Sequence, residues 1–334
     1  MNFDLTDDQR AIQRTARDFL AAGYKPEEIR RLAYETDRGF TDEGWQRICE
    51  LGWPALLVDE EHGGLGLGVV ELAVVQEELG AALAPSPFLS TIGAAALIAD
   101  AGSDEQRARW LPGLAAGEAR GTVATLRDGD GWSAVPDADG ADVVVLRDGD
   151  GWAVADGTGV SAEPAQALDP TRRLWSIEVG GEREPLPGDG ARAADVIAVA
   201  LAAESVGVAQ RTLDMAVAYA KEREQFGRPI GAYQAVSHAC AQMLLEVEGA
   251  RSTTLYAAWA LDHEPESGPL AASMAKAYAS DAGWRVPAAA LQVHGGIGFT
   301  WEHDLHLFLK RAEANAHAYG DARWHREQVA ATLL

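Results

Sequence analysis

The chain has 334 residues, 47% of them hydrophobic, enough to bury one large core or two to three modest ones. Its 28 Lys and Arg stand against 51 Asp and Glu, a formal charge of −23, so it lacks the clustered cations that nucleic acid or an anionic membrane surface requires. The two cysteines, Cys49 and Cys240, form no CxxC pair; they encode neither a disulfide framework nor a zinc site and suit a reducing cytoplasm.

Residues 1–120 read as helices joined by short loops. The opening MNFDLTDDQR is acidic and unlike an export signal, and the longest apolar runs, IGAAALIA and VIAVALAA, fall short of the roughly 18 residues of a membrane span. No membrane partner is expected. Thr6 with Gln9 and Ser103 with Gln106 have the spacing of capping boxes, in which hydroxyl and amide satisfy each other's backbone N–H at a helix start. Between them, EEHGGLGLG (60–68) fails the GxGxxG spacing at Val69, and no β-branched strand precedes it, so a plain flexible turn is expected rather than a dinucleotide loop.

Residues 121–188 are rich in Gly, Asp and Pro, with β-branched runs such as ADVVVL and WAVA. The heptapeptide LRDGDGW occurs twice, at 126–132 and 146–152. Asp-Gly between apolar runs is a strong hairpin signal, so a small antiparallel β domain is expected. An EF-hand reading fails for want of the twelve-residue ligand spacing and its closing Glu.

Residues 189–334 return to helix. Val199, Ala203, Val206, Leu213, Val217 and Ala220 follow helical spacing over about seven turns. A second helix carries Val236, Cys240, Met243, Val247 and Ala250, a third Leu270, Met274, Ala277, Trp284 and Leu291, and a fourth follows Thr300. Long helices with short connections imply an antiparallel four-helix bundle, with Cys240 and the methionines in its core. Near the end, His317, Asp321 and His325 are spaced by four, as on one helix face. Gly320 interrupts that helix and no CxxC or HExxH accompanies it, so no metal is expected.

Two helix junctions can carry chemistry. In KEREQFGRPIGAYQ (221–234) one helix ends at Gly227 and Pro229 and another opens at Tyr233-Gln234. Arg223 there is either a cation near a helix C-terminus or a guanidinium aimed at a phosphate. In QVHGGIGFTWEHD (292–304), paired glycines act as a C-cap or let a diphosphate approach backbone amides, and His294 by itself reads as a satisfied helix-end residue.

These junctions, together with LTDDQRAIQRTARDFL, LGWPALLVDEEHGGLGLG, EELGAALAPSPF and RWLPGLAAGEA, resemble blocks of the flavin-dependent acyl-CoA dehydrogenases over nearly the whole chain. The resemblance implies a mainly α fold: an N-terminal helical domain (1–120), a shortened middle β domain (121–188) and a C-terminal four-helix bundle (189–334). In that family a carboxylate removes the α proton of an acyl-CoA while the N5 of FAD accepts hydride from the β carbon, giving a trans enoyl-CoA. Residues of the RxxFG and QxHGG blocks reach the ADP half of the FAD held by a neighbouring subunit. Carried over, these are Arg223, Gln225, Phe226, Gln292, Gly295 and Gly296, and the resemblance favours the phosphate role for Arg223.

The departures from the family are informative. The blocks resembling YxxTE, AGSD and WIT, which hold a subunit's own flavin ring, are not recognisable in GTVATLRDGDGWSAVPDADGADVVVL. Ungapped counting from QxHGG puts Tyr319 where the catalytic glutamate usually stands, and a phenol with a pKa near 10 is a poor base at neutral pH. Members with their base on the first C-terminal helix would place it at Ile197; the nearest carboxylates are Asp195 and Glu204. With no catalytic residue of its own, the chain is expected to be the short subunit of an α2β2 acyl-CoA dehydrogenase, resembling actinobacterial enzymes that act on CoA esters of sterol side chains. A full-length acyl-CoA dehydrogenase subunit would bind most of the acyl-CoA, with electron-transfer flavoprotein as acceptor. The rivals are a self-sufficient dehydrogenase using Asp195 or Glu204 and a non-enzymatic scaffold or acyl-CoA-binding protein.

Overall fold

The computed structural model describes residues 4–333. The first helices are α1 (Asp7–Gly23), α2 (Pro26–Glu35), α3 (Asp42–Glu50), α4 (Val69–Ala82), α5 (Phe88–Ala101) and α6 (Asp104–Ala116). Both expected capping boxes form. Gln9 N–H donates to Thr6 Oγ1 at 3.2 Å and Thr6 N–H to Gln9 Oε1 at 2.9 Å, and Ser103 and Gln106 repeat these distances. The 60–68 stretch is a tight turn rather than a loose one. Leu65, Gly66 and Leu67 donate to the carbonyls of Ala55, Val58 and Leu56, and a Cβ on Gly64 would lie 1.8 Å from Val58 O. Close backbone approach, not flexibility, is why glycine stands there.

Two four-stranded sheets follow, built from β1 (Gly121–Ala124), β2 (Leu126–Asp128), β3 (Gly131–Pro136), β4 (Val143–Asp148), β5 (Gly151–Asp156), β6 (Val160–Ala165), β7 (Leu174–Val179) and β8 (Glu184–Leu186), in orders β1-β4-β5-β8 and β2-β3-β7-β6. Each LRDGDGW copy makes a two-residue hairpin, closed by Asp128 opposite Gly131 and by Asp148 opposite Gly151, with Gly129 and Gly149 at positive φ as the first central residue. One pair departs from the antiparallel expectation: β1 runs parallel to β4, because the chain detours through β2 and β3 between them. Inward residues of both sheets, among them Trp132, Val135, Leu146, Ala153, Trp175 and Ile177, form one core.

The C-terminal helices are α7 (Ala191–Glu222), α8 (Gln234–His263), α9 (Gly268–His294), α10 (Leu305–His317) and α11 (Ala322–Leu333), with a small hairpin of β9 (Glu224–Gln225) and β10 (Arg228–Pro229) between α7 and α8. Leu213, Met243, Val247, Val286 and Leu305 pack a core from four of the helices. A fifth, α11, packs on α9 beyond the four expected. Met274 is 45% exposed, so the expectation that every methionine is core fails at that position on the outer face of α9, and Cys240 is half-buried. The helix α7 is long and apolar enough to cross a membrane, which the short apolar runs did not foretell; 83% of its most apolar window is buried inside the protein. Its alanines raise hydropathy without interrupting the helix.

The chain forms two compact units. One gathers the segment up to Glu28, Ala73–Ala84 and the chain from Ala198 onward; the other holds Ile29–Leu72 and Pro85–Ile197.

Candidate functional site

At the end of α7, Arg223 N–H donates to Tyr219 O at 2.8 Å and closes the last turn, and Arg223 O accepts from Ile230 N–H at 2.8 Å. The hairpin between them turns at Phe226 and Gly227, with φ of +54° and +80°, the positive pair of a type I′ turn. Glycine adopts this freely, whereas a phenylalanine there is strained, and such strain gathers at functional sites. The Phe226 ring is 93% exposed and meets the edge of Tyr233 at 6.4 Å. Tyr233 donates its hydroxyl to Gln225 O at 3.1 Å and carries the Arg228 guanidinium 4.1 Å over its ring. The Arg223 side chain is exposed and engages no partner among the described residues.

At the end of α9, Gly295 has φ +62°, and its N–H bonds back to the carbonyls of Gln292 and Leu291. A Cβ at Gly295 or Gly296 would meet nothing within 4 Å, so the backbone is bare and open to an approaching group. Gln292, Phe299 and Trp301 are exposed around it.

The two junctions are joined. The Tyr219 ring stacks on His294 with centroids 4.5 Å apart and planes 20° from parallel. His294 is buried, its Nδ1–H donates to Ala290 O at 2.7 Å, and it meets the His303 ring at 4.6 Å. Burial holds the imidazole below its ordinary pKa and so in the neutral form. Sequence reading missed Tyr219, although an aromatic one turn before Arg223 was a signal available to it.

The candidate bases have separate surroundings. Glu204 is buried against Arg311, with Oε1 accepting from Nη1 at 2.6 Å. Asp195 lies beside Asp100, whose Oδ2 caps α7 at Ala193 N–H (3.0 Å); burial, then the charge of Asp100, pushes its carboxyl up to about 6. Tyr319 adopts φ +54° in the turn between α10 and α11, and its carbonyl accepts from His325 Nε2–H at 3.1 Å. The Lys276 ammonium, fully buried, donates to Asn315 O, Gly320 O and Ser280 Oγ at 3.0 to 3.1 Å and braces the same turn. His317, Asp321 and His325 do not converge. His317 is exposed beside Glu313, Asp321 caps α11 through Trp324 N–H at 2.8 Å, and His325 is buried, its Nδ1 accepting from Ser273.

Residues 6–118 match the family model described as acyl-CoA dehydrogenase, N-terminal domain, and residues 192–334 match acyl-CoA dehydrogenase, C-terminal domain. The chain belongs to the acyl-CoA dehydrogenase family. It is thus an oxidoreductase acting on acyl-CoA thioesters, with FAD as cofactor. Acyl-CoA dehydrogenase IpdE2 of Mycobacterium tuberculosis is 39% identical over 313 residues, 93% of this chain and 92% of that protein. IpdE2 of Mycolicibacterium smegmatis is 36% identical, covering 99% and 100%. Among solved structures, a chain of the ChsE4-ChsE5 complex from Mycobacterium tuberculosis gives a TM-score of 0.91 at 26% identity, covering 100% and 99%. The Tcur3481-Tcur3483 steroid ACAD G363A variant gives 0.88 at 29% identity, with 97% of each chain covered. In this acyl-CoA dehydrogenase chain, the residues carried over to the ADP half of FAD all lie at the two junctions that the Tyr219–His294 stack connects.

Proposed function

We propose that this chain is the short subunit of a heteromeric, α2β2, FAD-dependent acyl-CoA dehydrogenase, which lends Arg223, Gln225, Phe226, Gln292, Gly295 and Gly296 to the ADP half of an FAD held by a full-length partner. The observation that carries the reading is the pairing of an exposed, unengaged guanidinium with bare glycine backbone, linked by one aromatic stack. That donor set fits a diphosphate: a planar guanidinium for its oxygens, open amide backbone for close approach, and exposed aromatics beside them. The family's base position holds Tyr319, whose main chain is fixed by His325 and whose phenol is a weak base, so the partner supplies the carboxylate and most of the acyl-CoA pocket. When bound, FAD would supply the hydride acceptor for the β carbon, with an electron-transfer flavoprotein as the onward acceptor. Two similar structures are named as a two-protein complex and as a steroid dehydrogenase, which supports a heteromer acting on the CoA ester of a sterol side chain.

One observation favours a second reading, a self-sufficient dehydrogenase: the Asp195 carboxyl, raised to about 6, is tuned toward a general base near neutral pH. Purifying the chain alone and with its partner dehydrogenase, and recording flavin absorbance, separates the two. Flavin on co-purification alone, at one per pair of unlike chains and lost in Arg223→Ala, is expected. A yellow single chain that oxidises acyl-CoA, with activity lost in Asp195→Asn, would overturn the heteromer.

A further inference from the structure

We propose that Tyr219 is a positioning residue for the shared flavin: its stack on His294 sets the spacing between the Arg223 hairpin and the Gly295–Gly296 backbone, so that both meet one diphosphate. The inference rests on the reading above and adds a residue to which no role was carried over. Arg223 follows the last residue of α7, one helical turn after Tyr219, and the Tyr219 carbonyl receives the Arg223 N–H at 2.8 Å. His294 immediately precedes Gly295, and its own ring is fixed from below by Ala290 O and from the side by His303. The rings meet at 4.5 Å and 20°, so neither junction can shift without separating them.

The physical need is clear from the two binding elements. A guanidinium on a long side chain and a glycine backbone both lose freedom when they close on a ligand, and that cost falls if their supports are already locked. Each junction is otherwise secured locally, the hairpin by Tyr233 and Ile230 and the glycine turn by Leu291 and Gln292. Among the described ring contacts, the Tyr219–His294 pair is the one that crosses from one junction to the other. A hydroxyl is not required for this, only a flat ring.

The test uses the co-purified complex, titrated with FAD after flavin removal, and the single chain, followed by amide hydrogen exchange. Tyr219→Leu and His294→Leu should each weaken FAD binding roughly tenfold, the scale of one lost preorganised contact. Tyr219→Phe should bind like wild type. In the single chain, amides of residues 223–229 and 295–299 should exchange faster together in either leucine variant, with protection in α8 retained. Arg223→Ala serves as the reference. If it weakens FAD while Tyr219→Leu and His294→Leu do not, the positioning role is overturned and the subunit reading stands. If Arg223→Ala has no effect either, the subunit reading itself is overturned. Should Tyr219→Leu lose protection throughout α8, His294→Leu decides, since it breaks the same stack from the other side.

Discussion

Arg311 on α10 donates through Nη1 to Glu204 Oε1 on α7 at 2.6 Å, with both side chains almost wholly withdrawn from water. A carboxylate so held is a structural anion paired with a buried guanidinium, unlike a base waiting for a substrate proton. Removing one partner leaves a buried charge, so Glu204→Ala should cost about 3 to 5 kcal/mol, read from the denaturant midpoint. The double variant Glu204→Leu with Arg311→Met should recover most of the loss, because two apolar side chains leave no buried charge. If the single and double variants are equally unstable, the pair is not what makes the site costly to disturb.

Helices α4 and α7 cross with their backbones nearly touching, and glycine permits it from both sides. A Cβ on Gly207 would lie 1.9 Å from Glu77 O, and one on Gly80 would lie 2.2 Å from Glu204 O. Alanine in place of helical glycine normally gains up to about 1 kcal/mol. Here separation of two packed helices outweighs that gain, and Gly207→Ala should destabilise by about 1 to 3 kcal/mol in thermal or chemical unfolding. A stabilised Gly207→Ala protein would refute the close crossing.

Much of this architecture was legible because it is local. The capping boxes at Thr6 and Ser103, the twin hairpins of LRDGDGW and the helix break at Gly320 each depend on residues within a few positions, where chain geometry leaves few choices. What escaped depends on residues far apart in sequence: the parallel β1–β4 pair, the exposure of Met274, the Glu204–Arg311 pair and the Tyr219–His294 stack. Periodicity marks which helix face is apolar but not which neighbour covers it. The candidate site was legible only as two separate junctions, since no spacing rule relates Tyr219 to His294.

The turn at Tyr319–Gly320 should respond to acid through His325. Burial first, then the Lys276 charge, pushes this imidazole down to about 4, while in the unfolded chain it titrates near 6.5. Between those values the unfolded chain binds more protons than the folded one, so stability is full above about pH 6.5 and falls as pH drops toward 4. His325→Gln, which lacks that titration, should show a shallower fall in Tm across the window. Equal slopes for wild type and variant would mean that another group carries the acid sensitivity.

Asp195 should act in the opposite sense. Its folded carboxyl is raised to about 6 by burial and by Asp100, against the ordinary 3.8, so the folded protein binds the extra proton between these values. Stability from this residue is therefore complete below about pH 3.8 and is lost as pH rises through 6. Asp195→Asn removes the loss: its Tm advantage over wild type should be absent near pH 4, grow between pH 4 and 6, and level off above. Because the group is partly exposed, solvent screening keeps the gain modest. In the co-purified complex the same substitution should leave acyl-CoA oxidation intact under the proposal that the partner supplies the base, whereas a rate collapse with flavin retained would assign the proton transfer to Asp195.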